Sequence, residues 1–520
     1  MAEGMGRIVA VTGATVLARA GVDESSALAL RIGGLVRIAQ PDAVVFGVVN
    51  SLALENGDGA GIRLEIQLLG EVEAGKSAFR RGVSFFPRIG DVVEAAPDTD
   101  IATIYAPTKA ASVRIGTIHQ TRGVPAHVLT DELLGKHFAI LGSTGSGKSC
   151  TVALLLQTIL EFHPGGHVIL LDPHNEYAHA FKEKAEAVSI ANLHLPYWLL
   201  NFEELVKVLA TGEGADRESQ IMILKEAVLE ARKAGGEAAG GPEVVLTVDT
   251  PVPFRLSDLK RQIDGAMGKL EKPEGARPYM KILNRLDSLM ADRRFAFMFS
   301  NLLVRDVMAD LLSRLLRIPV AGKPVTCVDL SGVPSEIVDV VVSVLTRMIF
   351  DFAIWSSEEV EMAPVLLVCE EAHRYAPEND GSGFGPTRAS IARIAKEGRK
   401  YGVSICLVSQ RPSELSATIL SQCSTLFALR LANEQDLAFV RNVLPESAGG
   451  FLKVLPALHP QEALAMGEGV PVPMRIRFDS LPEDRRPKSH SAAYSAAWRE
   501  DRLDGEFVRR VVQKWRRQVR

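Results

Sequence analysis

The stretch from Phe138 to Ser149 reads Phe-Ala-Ile-Leu-Gly-Ser-Thr-Gly-Ser-Gly-Lys-Ser, and it decides the fold of this chain. A short apolar run leads into a glycine-rich turn of the pattern G-x-x-x-x-G-K-[ST], and an apolar segment with helical spacing follows. Glycines let the backbone N–H groups of such a turn converge on phosphate, and the helix N-terminus adds its dipole. Lys148 is expected to reach the β- and γ-phosphates, and the Ser149 hydroxyl to bind Mg²⁺. The sequence thus predicts a nucleoside triphosphate site with ATP and Mg²⁺ as cofactors. The predicted binding residues of the turn are Gly142, Ser143, Thr144, Gly145, Ser146, Gly147, Lys148, Ser149 and Cys150.

The same pattern occurs a second time at Gly70–Ser77. Its loop positions include Glu71 and Glu73, which would place carboxylates beside a polyanion. The pattern of the residues after it is typical of a strand rather than of an apolar helix. Because structural context decides between two matches to a bare pattern, we expect a hairpin turn here and the nucleotide site at the later copy.

Length and composition are those of a multidomain globular protein. The chain has 520 residues, 47% hydrophobic and 23% charged, which predicts roughly two to four domains. No apolar run approaches a membrane span, and Met1–Arg7 lacks the features of a secretory signal, so we expect a cytoplasmic protein without membrane contact. The formal charge of −4 does not indicate a nucleic-acid binder, although a basic channel can lie inside an acidic shell. The five cysteines form no C-x-x-C pair, and nucleotide-bound Mg²⁺ is the only metal expected.

Changes in composition and hydrophobic pattern divide the chain into regions. Residues 1–122 carry short β-rich segments separated by turns, which predicts a small N-terminal β-barrel or sandwich. In residues 123–484, continuous Val-, Ile- and Leu-rich runs alternate with helical stretches, as in a parallel sheet covered on both faces. A charged, helix-periodic insertion at about 180–320 interrupts this α/β core, with a flexible break at Gly235–Pro242. Residues 485–520 form a basic tail, for which a solvated helix and a role in bracing a subunit or touching DNA are equally good interpretations.

The second half of an ATPase site is expected at the ends of two later apolar runs. The run Val365–Cys369 leads into Glu370 and Glu371, and α/β proteins place ligands at the carboxyl ends of their strands. Glu370 is predicted to hold the Mg²⁺ shell and Glu371 to polarise the attacking water; two exposed acids that end a strand are the alternative. The next run ends at Gln410, which is either a γ-phosphate sensor or a polar residue in the turn before Pro412.

Two further acids and three arginines have open assignments. Asp172 and Glu176 follow an apolar run that we place next to the phosphate-loop strand; they either support Mg²⁺ or water, or bind backbone in a turn. A cation supplied across a subunit interface stabilises transition-state charge, and Arg399 is the preferred candidate. Its rivals are Arg393 and Arg430, and ordinary surface pairing is an equal alternative for each arginine.

These motifs together resemble the HerA family of the HerA–FtsK ATPases. They are the phosphate loop, Asp-Pro-His-Asn-Glu-Tyr at 172–177, Glu-Glu-Ala-His-Arg-Tyr at 370–375 and Ser-Gln-Arg-Pro at 409–412. The resemblance, to members of bacterial type, implies an N-terminal barrel of the HerA–ATP-synthase type, a RecA-like P-loop core with a helical insertion, and a C-terminal brace. It also implies a hexameric ring with ATP at the subunit interfaces and double-stranded DNA in the channel. The implied partner is a NurA-type nuclease or another effector enzyme, such as one of phage defence.

The resemblance also assigns roles to single residues. Glu370 is a departure, since archaeal members usually carry aspartate at that position, but the longer carboxylate can act through a bound water. The family's phosphate-loop pair, catalytic acid, sensor glutamine and interface arginine fall on Lys148, Ser149, Glu371, Gln410 and Arg399.

Two hypotheses about function follow. The leading one is an ATP-driven translocase or helicase that holds the phosphate backbone of duplex DNA without reading its bases. The alternative is an ATP-hydrolysing ring scaffold that assembles or regulates an effector enzyme. A metabolic P-loop kinase is disfavoured, because the carboxylate-plus-glutamine arrangement orients water. The segment Asn379–Gly385, with Arg388, is a candidate mobile pore loop or else a disordered connection.

Overall fold

In the part of the chain that the structure describes there are two sheets, a small N-terminal one and a large one that holds the predicted nucleotide site. Among the helices of the described residues, none is both long and apolar enough to cross a membrane. The computed structural model describes residues 5–21, 31–55, 61–107, 111–119, 121, 123–239, 245–270, 273–300, 304–379, 385–443, 452–488, 494–499 and 504–517.

The N-terminal sheet closes on itself. Its strands are β1 (Gly6–Thr12), β2 (Thr15–Ala20), β3 (Leu35–Ala39), β4 (Ala43–Glu55), β5 (Gly61–Glu73), β6 (Arg80–Arg81) and β7 (Val92–Ala95). The order is β2-β1-β7-β3-β4-β5-β6, and an additional β2–β5 pairing closes six of these strands into a barrel. Inward-facing residues such as Val16, Ala18 and Ile66 are fully buried. The predicted N-terminal barrel is confirmed.

The second copy of the phosphate-loop pattern, Gly70–Ser77, lies in the antiparallel hairpin of β5 and β6. The Glu71 carboxylate is buried there and accepts hydrogen bonds from the N–H groups of Ser84 (2.8 Å) and Phe85 (3.2 Å). It therefore ties down the loop that follows β6 instead of facing an anion. The prediction of a hairpin is confirmed.

Within the described ranges the large sheet has eleven strands. They are β8 (Ser112–Ile118), β9 (Pro125–Leu129), β10 (His137–Leu141), β11 (His167–Asp172), β12 (Ala185–Ser189), β13 (Val325–Asp329), β14 (Val365–Cys369), β15 (Val403–Ser409), β16 (Cys423–Ala428), β17 (Glu462–Gly467) and β18 (Met474–Phe478). Their order is β12-β13-β11-β14-β15-β10-β16-β17-β18-β8-β9, parallel from β12 to β16 and antiparallel from there to β9. This sheet is the predicted α/β core.

Strands β8 and β9 belong to the large sheet although β8 precedes residue 122, the expected end of the barrel domain. β8 pairs with β18, for instance through Ile118 and Ile476. Short strands with alternating burial look alike in either sheet, so sequence texture does not separate them. We therefore propose that the boundary between barrel and ATPase core lies between Tyr105 and Ser112, and not at residue 122; the end of the core at residue 484 and the tail 485–520 also remain proposals.

Helices cover the large sheet and build the insertion. They are α1 (Asp98–Tyr105), α2 (Thr130–Leu134), α3 (Lys148–Phe162), α4 (Ala178–Phe181), α5 (Phe202–Leu209), α6 (Gly214–Ala239), α7 (Leu256–Met267), α8 (Arg277–Ala291), α9 (Ala296–Phe299), α10 (Met308–Leu316), α11 (Ser335–Trp355), α12 (Gly385–Glu397), α13 (Ala417–Leu420), α14 (Glu434–Val443), α15 (Tyr494–Ala497) and α16 (Gly505–Arg517).

The insertion is mainly helical, as expected, but two features differ from the prediction. Its first part adds β12 to the edge of the parallel sheet, and only Ala185 and Val188 of that strand are buried, so it carries no continuous apolar run. Helix α6 continues through Gly235, where a flexible break was expected. A Cβ atom at Gly235 would lie 2.2 Å from the carbonyl oxygen of Pro253, so the glycine serves close packing. Residues 240–244 lie outside the described residues.

A buried ion pair fastens the insertion to the core. Glu204 on α5 is fully buried, and its carboxylate accepts hydrogen bonds from Arg347 on α11 (Nη2–Oε2 3.0 Å) and from the Ser343 hydroxyl (2.9 Å). Glu204 also caps its own helix, because its Oε2 accepts the N–H of Asn201 (2.9 Å). One carboxylate therefore joins two helices.

Arg81 on β6 ties the barrel to the large sheet. Its guanidinium donates to the carbonyl oxygens of Gly467 (2.8 Å), Val470 (2.6 Å) and Pro471, at the end of β17 and in the turn after it. Because three backbone acceptors converge on one side chain, the contact fixes the orientation of the barrel on the ATPase core.

Candidate active site

The phosphate loop lies at the C-terminal end of β10, between the ends of β15 and β16. Gly145 (φ 75°) and Gly147 (φ 104°) adopt the left-handed region, which lets the turn curl and start α3 at Lys148. Ser143 fixes the loop to the end of β16, because its N–H and its hydroxyl both donate to the carbonyl oxygen of Arg430 (2.9 and 3.0 Å). The predicted strand, turn and helix are all present.

Lys148 is the buried cation of this site. Its side chain donates to the carbonyl oxygen of Ser143 (3.2 Å). Burial lowers the pKa of Lys148, and the negative charges of Glu370, Glu371 and Glu176 oppose that shift. Lys148 and the predicted acids therefore lie close enough to interact electrostatically.

Glu370 and Glu371 follow β14 directly, and both are buried, at 4% and 7% exposure. Burial is the main cause that raises the pKa of Glu370 to about 8. Its Oε2 accepts a hydrogen bond from the buried phenol of Tyr177 (2.6 Å). Glu371 adopts φ 54°, a left-handed conformation that is strained for a residue with a Cβ atom and is often retained at functional sites.

The Glu371 carboxylate lies between two histidines. Its Oε1 is 3.6 Å from Nε2 of His174, and its Oε2 is 3.4 Å from Nδ1 of His373. Oε2 is nevertheless buried without a hydrogen-bond partner among the described residues. A buried carboxylate oxygen that is left unpaired costs free energy, so it fits a site that a ligand or a water completes. This position suits an acid that orients water against a γ-phosphate.

Gln410 lies at the end of β15, beside the phosphate loop, as the sequence predicted. Its Oε1 accepts a hydrogen bond from the Thr144 hydroxyl (2.5 Å). The hydroxyl of the preceding residue, Ser409, is 3.2 Å from Nδ1 of His373. The end of β15 therefore contacts the phosphate loop on one side and a neighbour of Glu371 on the other.

The expected position of β11 next to β10 is wrong, because β14 and β15 lie between them. Asp172 at the end of β11 is buried, and its carboxylate accepts the N–H groups of His174 (3.2 Å) and Tyr177 (2.9 Å). These are the contacts of the turn alternative. Glu176 is half-buried, and its charge acts on Lys148. Asp172 therefore acts on the site indirectly, because its carboxylate fixes the backbone of Tyr177.

The three candidate arginines lie in different places. Arg399 is exposed in the turn before β15, at the far end of that strand from the phosphate loop, and seven strand residues span roughly 20 Å. Arg393 lies 4.8 Å above the Phe350 ring and 3.8 Å from Asp351, so it is engaged within its own chain. Arg430 serves the phosphate loop with its backbone carbonyl.

Sequence reasoning assigned no role to three residues that the structure brings to the acids, namely Tyr177, His174 and His373. All three follow an acid by a few residues within the quoted motifs. This spacing could have predicted that their side chains lie near a carboxylate. Of the candidate pore loop, residues 380–384 lie outside the described residues.

The residues present fit ATP with Mg²⁺. The backbone N–H groups of the loop and the Lys148 ammonium are suited to a polyanion, and Ser149 and Glu370 offer oxygen ligands of the kind that Mg²⁺ prefers. Glu371 and Gln410 stay the predicted water-orienting acid and γ-phosphate sensor. The fold and this site define a RecA-like P-loop ATPase.

Comparison with known proteins finds similarity to one family of helicases. The family model "Helicase HerA, central domain" matches residues 113–349. The DNA double-strand break repair helicase HerA of Pyrococcus furiosus is 26% identical over 487 residues, which cover 84% of this chain and 82% of the relative. The protein of the same description from Sulfolobus acidocaldarius is 27% identical over 403 residues, 76% of this chain and 74% of the relative. These matches support a HerA-family ATPase, with ATP and Mg²⁺ as cofactors.

A solved structure supports the fold. VirB4 of Thermoanaerobacter pseudethanolicus superposes with a TM-score of 0.51 and 16% identity, over 73% of this chain and 99% of that chain. At this identity the likeness concerns the fold alone.

Proposed function

We propose that this chain is an ATP-driven motor that translocates double-stranded DNA as a ring of six copies. Relatives described as DNA double-strand break repair helicases are similar to it over most of both chains, and its site holds the groups that water-driven ATP cleavage requires. Lys and Arg side chains of the channel would bind the phosphate backbone without reading bases, so affinity for DNA should fall steeply with salt.

The observation that carries the ring is the separation of Arg399 from the phosphate loop of its own chain. One subunit supplies the loop, both acids and the glutamine, whereas its preferred arginine lies at the opposite end of β15. A head-to-tail interface would bring that arginine to the nucleotide of a neighbour, and repetition of such an interface closes a ring. Arg399 then stabilises the charge that develops on the transferred phosphoryl group.

The C-terminal helix α16 supports a second contact between subunits. Phe507, Val508, Val511 and Trp515 recur at helical spacing and are all substantially exposed, while arginines and a lysine occupy other positions of the helix. This apolar stripe is suited to brace a neighbouring subunit, which is the role that we assign to the basic tail.

The barrel presents a separate surface for an effector enzyme. The loop after β6 exposes Phe85, Phe86 and Ile89, and the buried Glu71 carboxylate anchors its start. A preformed apolar tip of this kind suits a protein partner such as a NurA-type nuclease or a defence effector. The same feature supports the alternative function, a ring scaffold in which ATP turnover times the effector.

The decisive measurement is the ATPase rate of the purified protein with and without double-stranded DNA, together with its native mass. Lys148→Ala should abolish nucleotide binding, whereas Glu371→Gln should keep binding and lower turnover about 10²- to 10⁴-fold. Turnover that rises with duplex DNA supports the motor. Turnover that ignores DNA supports the scaffold, and a complete lack of ATP cleavage would contradict both.

A mixing experiment tests the arginine. Arg399→Ala and Glu371→Gln should each be nearly inactive alone. With equal amounts and random assembly, about one interface in four combines an intact Glu371 with an intact Arg399 and should recover turnover. Arg393→Ala serves as the matched control on the neighbouring helix. If the mixture stays as inactive as its components, Arg399 does not act across the interface.

A further inference from the structure

The phenol of Tyr177 is buried between two predicted ligands of Mg²⁺. The residue is fully buried, and its hydroxyl donates to Oε2 of Glu370 (2.6 Å). The side chain of Ser149 contacts the same phenol. One hydroxyl group therefore touches both sides of the site, the end of β14 and the start of α3.

The backbone around Tyr177 is held before any ligand arrives. Its N–H donates to the buried Asp172 carboxylate (2.9 Å), and its carbonyl oxygen accepts the N–H of Ala180 (2.8 Å) at the start of α4. Asn175, two residues earlier, adopts φ 55°, which completes the tight turn. Because its backbone is held in place, the Tyr177 phenol can orient a more flexible side chain.

Glu370 is such a side chain. A glutamate has one more rotatable bond than an aspartate, so its carboxylate can occupy more positions relative to the phosphate loop. Partners that hydrogen-bond to a metal-binding carboxylate fix its orientation. In this chain the partner that contacts the distal end of Glu370 is Tyr177.

We propose that Tyr177 is a positioning residue that orients Glu370 toward the Mg²⁺ of bound ATP. The proposal rests on the assignment of the ATP site to Lys148, Ser149 and Glu370. It also gives Asp172 a role: its carboxylate holds the backbone of Tyr177 and acts on the cation only through that residue.

Tyr177→Phe tests the proposal, because it keeps the buried ring and removes only the hydroxyl. The readout is the affinity for a fluorescent ATP analogue, measured once with Mg²⁺ and once in EDTA, alongside the Mg²⁺ concentration for half-maximal ATPase rate. Binding in EDTA should match the wild type, since the phosphate loop is intact. Affinity with Mg²⁺ should fall about 10- to 100-fold, and the half-maximal Mg²⁺ concentration should rise by a similar factor. Tyr197→Phe is the control, because that phenol is equally buried but donates to the carbonyl oxygen of Phe254 in the insertion.

A second variant keeps the test specific. In a Glu370→Gln background, adding Tyr177→Phe should change Mg²⁺-dependent binding little further, because the hydroxyl acts through the carboxylate. Unchanged Mg²⁺-dependent binding in Tyr177→Phe would overturn the proposal, and so would equal losses with Mg²⁺ and in EDTA, which would mean a purely structural role. A wild-type protein that binds no nucleotide at all would instead contradict the proposed function.

Discussion

Replacing Glu370 by glutamine should stabilise the nucleotide-free protein while it removes Mg²⁺-dependent turnover. The carboxyl group is buried at the end of β14, and this burial raises its pKa to about 8 from the ordinary 4.5. In the unfolded chain the group ionises freely, whereas in the fold it must stay protonated or carry a buried charge. Glutamine has nearly the same shape, can still accept the phenolic hydrogen bond, and never ionises.

The magnitude follows from the two pKa values. At pH 7 the unfolded group is 2.5 units above its ordinary pKa of 4.5 and the folded group is still largely protonated, so the native state loses about 3 kcal/mol relative to the neutral variant. The same reasoning gives about 2 kcal/mol at pH 6 and about 4 kcal/mol at pH 8.

The sign and the pH window are fixed by the direction of the shift. Because the folded pKa is raised, the stability associated with this group is fully present below pH 4.5 and is lost progressively as pH rises to about 8. The stability of Glu370→Gln relative to the wild type should therefore increase steadily from pH 4.5 to about 8 and remain constant above that range. Mg²⁺·ATP should reverse the order, because the ionised carboxylate is the form that serves the cation.

The assay is urea unfolding of the nucleotide-free wild type, Glu370→Gln and Glu359→Gln at pH 6, 7 and 8. Glu359 is exposed in the segment just before β14 and supplies the control, for which no comparable trend is expected. The reasoning is refuted if the difference between Glu370→Gln and the wild type is zero or does not grow with pH. It is equally refuted if the glutamine variant is less stable than the wild type throughout.

Two further predictions concern the joints between the parts of the molecule. Glu204→Gln should destabilise the protein by roughly 1–3 kcal/mol, because it removes the buried charge that faces the Arg347 guanidinium and leaves that cation its pairing with Asp351 (3.1 Å). The exposed neighbour Glu203 should tolerate the same change in the same unfolding experiment, and equal effects would contradict this prediction. Arg81→Ala should free the barrel from the ATPase core, seen as faster amide hydrogen exchange in the turn after β17 at unchanged nucleotide affinity, with the exposed Arg80→Ala as control. Unchanged exchange in Arg81→Ala would mean that this arginine does not hold the two parts together.

The position of the phosphate loop and of the residues around it could be predicted because the signals are local. A glycine-rich turn between an apolar strand and an apolar helix has one structural solution, and the ends of parallel strands meet at one edge of a sheet. Lys148, Glu371 and Gln410 therefore come together as expected although they are far apart in the chain. The rejection of Gly70–Ser77 rested on the same kind of context, and the hairpin bears it out.

What the sequence did not reveal depends on long-range pairing. Nothing in the run before Asp172 tells which strand will be its neighbour, so β11 was placed beside β10 instead of beyond β14. β12 was missed because only Ala185 and Val188 turn inward at a sheet edge. The contact between Tyr177 and Glu370 could not be predicted for a related reason, since Glu370 follows a different strand that packs near Tyr177 only in the folded sheet.

The contacts at the end of β15 link the phosphate loop to Glu371, the predicted catalytic acid. Gln410 binds Thr144 of the loop, and the adjacent Ser409 lies 3.2 Å from His373, whose ring faces the unpaired oxygen of Glu371 at 3.4 Å. The left-handed backbone of Glu371 persists only because its surroundings hold it, so a displacement of these neighbours should change its orientation. We propose that a γ-phosphate that engages Gln410 acts on the end of β15, which also contacts His373 beside Glu371, so that phosphate sensing and water activation are coupled.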